Sequence, residues 1–434
     1  MHTNVLKKGF WIAGATLFGV GLIGWGDRFI YGHAHANYGS IVPWGLWVAA
    51  YMYFIGLSAG SFLISSLVYV FDVKKYERIG RLALFTALVT LLMALLSIWS
   101  DLGHMFRAWH VMVYPNFRSP MAWMIWLYSM YGLLLAVELW FLLRRDLIVG
   151  AARPDRSGRV YRLLSLGSRD TSEESGRRDR RVVRVLATIG VPLAIMFNGG
   201  AGTLFGVIAA RPHWHSGLLP ILFLLSALVS GAALLTWIAA VFQRGTEDKR
   251  DLVLALGSLV MSLLLIDLLF QASEILVAFY GGVPTSVAGF ELMIAGPFWW
   301  VFWIGQIALG TVLPLFLLLS RRTKYDVGWV ALAGLLVAVG FLAVRLNIVV
   351  PGLAVEEIRG LSDAIASPRM TTLYVPSITE WLLFGGVLGL GLLLFGLGEL
   401  LLPSEPRDVD RGAVRDPGVA LGPTFSREVD RVHV

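Results

Sequence analysis

"LALFTALVTLLMALLSIWSDLGHMFRAWH" (82–110) begins as a membrane-crossing helix and ends as something else. Its first part is an uncharged run of Leu, Ala, Val and Thr. With the flanking residues it is long enough, at about 1.5 Å per residue, to cross a hydrocarbon layer of about 30 Å. Then come Asp101, His104, Arg107 and His110, three apart, with Trp109 beside the last. A greasy helix that closes on a carboxylate, two imidazoles and a guanidinium ends where something polar docks.

The same apolar pattern recurs along the sequence. Spans are expected at 9–26, 41–71, 79–100, 121–143, 183–209, 217–242, 252–279, 291–319, 328–350 and 377–402. A protein that is 57% apolar and only 15% charged is no soluble domain. Runs of this length also differ from the segments of about 10 alternating residues in a membrane β-barrel. The fold class is therefore an all-α integral membrane protein with about ten transmembrane helices. Residues 1–402 form one polytopic domain, interrupted by a charged loop at 144–182. Residues 403–434 read as a disordered tail.

Charge placement sets an expected orientation. The N-terminus, the C-terminus and the connections after even-numbered spans, with the span ends beside them, carry 29 of the 36 Lys and Arg; the other connections and the span ends beside them carry 7. By the positive-inside rule both termini are cytoplasmic; the expected location is the inner (cytoplasmic) membrane. The same rule explains the basic pI of 9.7 without nucleic acid. Lys7, Lys8 and Ala34-His35-Ala36 share traits with a secretory signal. However, Asp27 and Arg28 lie between the apolar stretch and that motif, so the stretch reads as a retained span.

There is no cysteine, which leaves no thiolate for an iron–sulfur cluster in this protein. Of the eight histidines, His2 and His433 are terminal. His33, His35, His104, His110, His213 and His215 all fall in or beside connections assigned to the outer side. None lies at depth to serve as an axial haem ligand, so no haem is expected. His33-x-His35 and His213-x-His215 have chelating spacings, but a wet interface that tolerates histidine accounts for them, and no metal site is expected.

Charge inside a span is costly and marks a cavity or a partner. In "LLLIDLLFQASEILVAFYGG" (263–282), Asp267, Gln271 and Glu274 share one helical face. Arg345 and Glu380 lie near the outer ends of spans nine and ten, Tyr374 just before the latter, Glu138 toward the inner end of span four, and Asn198 within span five. Two readings stay open. Asp267 or Glu274 neutralises Arg345 or Arg107, or these groups form a proton route reaching the outer face. "GLSAG" (56–60) matches the G-x-S-x-G hydrolase pattern but lies within a span, where small residues let helices approach closely.

"PWGLWVAAYMYFIGLSAGSFLISSLVYVF" (43–71) and "DLGHMFRAWHVMVYPNFRSPMAWMIWLY" (101–128) resemble the NrfD-like family, typified by the membrane subunit of polysulfide reductase. The carrying elements are Pro-Trp-Gly, Gly-x-Ser-x-Gly, Asp-Leu-Gly, Arg-x-Trp-His and Arg-Ser-Pro-Met. "YVPSITEWLLFGG" (374–386) and the ten spans resemble the longer members, such as the hydrogenase-2 and alternative complex III membrane subunits. The resemblance implies a membrane anchor with no redox cofactor of its own. It implies exchange of menaquinone or ubiquinone near the outer face, and electron transfer to or from a partner iron–sulfur protein. A catalytic subunit would complete the complex: a molybdopterin enzyme, a hydrogenase or a multihaem cytochrome. Asp101, Arg107, Trp109 and His110 match the family element. His104 stands where a basic residue, often Arg, is expected. "MFNGGAG" (196–202) stands where some longer members carry a histidine.

Two-electron quinone chemistry also moves two protons, so a headgroup pocket needs donors, a titratable group and an apolar slot. The expected quinone-binding residues are His110, His104, Asp101, Arg107 and Trp109. Of these, His110 or His104 would bind the headgroup and Asp101 would orient it or accept its proton. The alternative for 101–110 is helix capping plus an Arg–Asp pair. Expected proton-path residues are Asp267, Glu274, Gln271, Arg345 and Glu380. A secondary transporter would instead show inverted repeats and broken helices, and a purely structural anchor would need no titratable cluster.

Overall fold

Ten hydrophobic helices arrange themselves as two four-helix rings and a flanking pair. The computed structural model describes residues 2–152, 156–243, 247–358, 360–365 and 367–402. The tail at 403–434 lies outside the described residues, as do 153–155 of the charged connection. The spanning helices are α1 (His2–Tyr31), α2 (Leu46–Tyr69), α3 (Gly80–Asp101), α4 (Pro120–Gly150), α5 (Glu173–Gly206), α6 (Leu219–Phe242), α7 (Glu247–Gly281), α8 (Val301–Leu319), α9 (Val327–Ala354) and α10 (Ile378–Leu401). The first ring is α2 to α5 and the second α6 to α9. They meet where α2 packs on α6 and α9, and α5 on α6. Helices α1 and α10 pair with each other, and α10 lies against α3.

Small residues set these crossings. A Cβ on Gly231 of α6 would stand 2.5 Å from the Gly60 backbone of α2. In α8 and α9, Gly310 and Gly340 meet in the same way. Without a hydrophobic drive between helices in lipid, such close backbone approach supplies van der Waals contact. The G-x-S-x-G stretch belongs here: Gly60 is a crossing point, and the Ser58 hydroxyl donates to the Ala87 carbonyl at 2.7 Å.

The connection after α4 departs from expectation. Residues 144–182 are largely helical rather than a loop: α4 runs on to Gly150, a helix spans Arg156–Leu164, and α5 starts at Glu173. The Ser172 hydroxyl caps α5, with Glu173 and Glu174 in its first turn, where the helix dipole favours acidic groups. Arg144 ties the connection together. It donates to Asp179 at 2.8 Å and to Ser168 at 2.7 Å, and also to Ser175.

Span eight also begins later than expected. A short helix forms first, Pro284–Ile294, and only then does α8 begin. Residues Val301–Val312 of α8 are wound as a π-helix, and the Thr311 hydroxyl donates to the Gln306 carbonyl five residues back. The wider turn places Gln306 inside the second ring, where it is buried. The alternating helices put the connections after α1, α3, α5, α7 and α9 on one face. Six histidines make this the histidine-bearing face; the opposite face is rich in arginine.

Candidate functional site

The helical spacing of Asp101, His104, Arg107 and His110 does not gather them, because α3 ends at Asp101. Beyond it the backbone turns through Met105–Arg107 and a single turn at His110–Val113. His104, Arg107, Trp109 and His110 lie at the surface. His110 lies edge-on to Trp109 at 4.2 Å. Asp101 turns inward, away from this set. The groups it faces are Tyr38 and Arg28, not the two histidines.

Around Asp101 a buried cluster forms from separate segments. Arg28, near the end of α1, donates to the Ser100 carbonyl at 2.7 Å and the Leu102 carbonyl at 2.6 Å, holding the end of α3. Its guanidinium lies 5.8 Å from the Trp47 ring. His33 packs near Trp47 and Tyr38, with ring centroids 5.8 Å and 5.6 Å away. Burial, and then the Arg28 charge, push the His33 imidazole below its usual range. The Tyr38 hydroxyl faces the Asp101 carboxylate without a hydrogen bond of normal geometry. Burial first, and then Asp101, hold that hydroxyl well above its usual range. His33 Nε2, the Tyr38 hydroxyl and Asp101 Oδ1 are all buried with no hydrogen bond of good geometry, although His33 and Tyr38 both lie against Asp101. Three unsatisfied polar atoms in one cluster are unusual in a native interior and mark a place for a ligand or water.

Tyr374 and Glu380 close the cluster. The Tyr374 hydroxyl accepts from the Leu46 N–H at 2.7 Å and donates to Glu380 Oε2 at 2.9 Å. Glu380 is also the third residue of a capping box with Ser377 at the start of α10. A Cβ on Gly45 would overlap the Tyr374 hydroxyl, so only glycine leaves room there. Outside His33 and Tyr38, the 33–39 and 368–375 connections enclose a vestibule of about 650 Å³ on the histidine-bearing face.

The expected proton-path residues divide between two places. Glu380 belongs to the Asp101 cluster. The others line the second ring, where side-chain amides form a relay. Gln271 donates to Asp267 at 2.5 Å, Gln306 to Gln271 at 2.7 Å, and Asn347 to Gln306 at 2.6 Å. Glu274 lines the same cavity. Arg345 donates to the Ser226 hydroxyl at 2.6 Å and stacks 4.3 Å from Phe223. The charge of Asp267 acts on Arg345 without a direct ion pair, and Arg107 takes no part.

The two His-x-His pairs are split among unrelated partners. His35 pairs with Asp27 at 2.7 Å, and His215 with the Gly206 carbonyl at 2.9 Å. His33 belongs to the Asp101 cluster. His213 packs 4.5 Å from Phe290. Sequence reasoning missed Arg28, His33, Tyr38 and Trp47 as site residues. A signal for them existed: Asp27-Arg28 closes span one as Asp101 closes span three, and His33 follows five residues on.

Fold and clusters together define a multi-pass, all-helical membrane protein that keeps buried, incompletely satisfied polar groups beneath one face. The sequence comparisons narrow this further. The family model described as "Polysulphide reductase, NrfD" matches residues 35–356, and the protein belongs to that family. It is 38% identical to the C subunit of selenate reductase from Mesobacillus selenatarsenatis, over 92% of the present sequence and 95% of that relative. It is 27% identical to the Hdr-like menaquinol oxidoreductase integral membrane subunit of Archaeoglobus fulgidus, over 84% of the present sequence and 86% of the other. The C component of polysulfide reductase from Wolinella succinogenes is 24% identical, over 72% of the present sequence and 94% of its own.

Proposed function

We propose that this protein is the quinone-exchanging membrane anchor of a respiratory oxidoreductase in the inner membrane. Its headgroup site is the Asp101 cluster. The observation that carries the reading is the convergence of His33 Nε2, the Tyr38 hydroxyl and Asp101 Oδ1, buried with no hydrogen bond of good geometry, beneath a vestibule. An imidazole and a phenol offer donors to the two carbonyls of a quinone, and a carboxylate can take or return a proton. Arg28 holds the end of α3 in place. Tyr374 and Glu380 brace Leu46 and the Pro-Trp-Gly turn behind the ring.

In the oxidising direction, a quinol would give one proton to Asp101 and a second to water through His33. Its two electrons would pass to an iron–sulfur protein seated on the histidine-bearing face. The names of the relatives, selenate, polysulfide and menaquinol enzymes among them, support an oxidoreductase complex. His104, Arg107, Trp109 and His110, at the surface, then belong to the partner's landing area.

The test is quinol turnover and quinol KM of the assembled complex. D101N and Y38F are expected to lose most turnover. H104A and H110A are expected to keep the quinol KM and to weaken retention of the partner. Native turnover and KM in both D101N and Y38F would overturn the site. A raised quinol KM in H110A would move the headgroup out to the exposed segment.

A further inference from the structure

Two cavities lie at the second ring and share one lining side chain, His213. The inner one, about 70 Å³, is lined by Asp267, Gln271, Glu274, Gln306 and Asn347 among others. A cavity of about 10–15 Å³ already admits one water, so this one has room for more than one. The outer one, about 260 Å³, opens among the connections of the histidine-bearing face beside Arg211, Thr285, Glu356 and Glu357. His213 lines both.

Three observations say what the inner cavity holds. Asp267 is 0% exposed, and its Oδ1 has no protein partner, while the other oxygen takes the Gln271 amide. A carboxylate oxygen left without a protein partner beside a cavity of this size has room for a water partner. Toward the opposite face, Leu264, Val260, Leu256 and Val253 of the same helix are all buried. At about 1.5 Å per residue they form roughly 20 Å of dry apolar packing. Toward the histidine-bearing face, by contrast, Glu274 reaches Ser216 and His213 lines both cavities, so the polar exit runs that way. The His213 Nδ1 is buried without a hydrogen-bond partner, and the ring lies against Gly289, where a Cβ would come within 2.6 Å of Nδ1.

We propose that the inner cavity is a hydrated proton-exchange chamber open to one face of the membrane only, and that the His213 ring is its partition. The ring is faced by Arg211, Glu356 and Glu357 from the outer cavity and by Glu274, Asp267 and Arg345 from the inner one. A proton arriving on water crosses when the ring swings aside. It converts the Glu274 or Asp267 carboxylate to the acid and leaves by the same route, so no net charge crosses the membrane here. The chamber is separate from the Asp101 cluster, so its test does not depend on quinone chemistry.

Because the protein has no cysteine, single introduced thiols report access cleanly. M293C places a thiol in the inner cavity and T285C one in the outer cavity. Each is made in the full-length protein in membrane vesicles and reacted with a membrane-impermeant methanethiosulfonate. T285C is expected to react fast, and M293C slowly, from the histidine-bearing face. Adding H213A should speed M293C by about tenfold or more, as a barrier lowered by about 1.4 kcal/mol would. It should leave T285C unchanged, which also shows that the protein is folded. G289A, which dislodges the ring without removing it, should act in the same direction. The proposal is overturned if M293C already reacts as fast as T285C, if it reacts from the arginine-rich face, or if both H213A and G289A leave it slow.

Discussion

At the scale of single residues, buried polar side chains decide what this molecule can do, and their partners lie far away in sequence. Tyr374 illustrates the point. Its hydroxyl satisfies the Leu46 N–H and one oxygen of Glu380. Y374F removes both bonds and leaves the Leu46 N–H without a partner, while Glu380 Oε2 keeps only the Ser377 N–H. A loss of about 1–3 kcal/mol follows, to be read as a lower thermal midpoint of the detergent-purified protein. Arg144 gives the complementary case. Its guanidinium and Asp179 are both nearly buried and ion-paired at 2.7 Å. R144A leaves that carboxylate without its cation, and a cost of about 3–5 kcal/mol is expected in the same measurement. R144K should recover only part, since a lysine cannot reach Asp179, Ser168 and Ser175 at once.

The sequence shows Asp101 as a residue to watch, but not its company. A helical period relates side chains only while the helix lasts, and here it stops at Asp101 itself. His104 and His110 therefore share a spacing with Asp101 but no pocket. Arg28, Tyr38 and Tyr374 share the pocket but no spacing. Only a fold that lays the end of α1, the next connection and the start of α10 over α3 brings them together.

At the scale of elements, hydropathy reads well because lipid imposes it. All ten spans appear where the apolar runs predict them, within a few residues at most ends. The misses have physical causes. Apolarity alone starts span eight at residue 291, but "AGPFWW" (295–300) interrupts the helix before α8 begins. The π-turns in α8 leave no mark on apolar periodicity. The charged connection reads as a loop because its hydropathy is low. Its helices are held by capping and by the Arg144 knot, which hydropathy does not register. Helix crossings are equally invisible until glycines meet. G231L forces a branched side chain into the Gly60 backbone, and α2 and α6 should then fail to seat. Loss of the monodisperse species in size-exclusion chromatography would show it, whereas G19L, with open space around it, should elute as the native protein does.

At the scale of the whole molecule, the mouth of the second ring carries a group whose protonation is linked to folding. Burial lowers the His213 imidazole from its ordinary 6.5 to about 4. The unfolded state therefore binds this proton first as pH falls, and the folded state loses stability between pH 6.5 and about 4. Up to about 3 kcal/mol is at stake for a shift of this size. His213 therefore adds a falling component to the thermal midpoint across that window, read as the difference between the native protein and H213Q, in which the component is absent. Below about pH 4 the site is protonated in both states and contributes no further slope.

The last helix carries a consequence for how the protein is made. The family match ends at residue 356, yet Tyr374 and Glu380, which complete the Asp101 cluster, come after it. During synthesis the first nine helices can enter the bilayer with that cluster still open, Leu46 uncapped and Trp47 uncovered. Only when α10 leaves the ribosome and pairs with α1 does the cluster close. A nascent polypeptide cut short after α9 would be an inserted membrane protein with an unfinished site. Arrival of α10 is thus the step that completes the cluster.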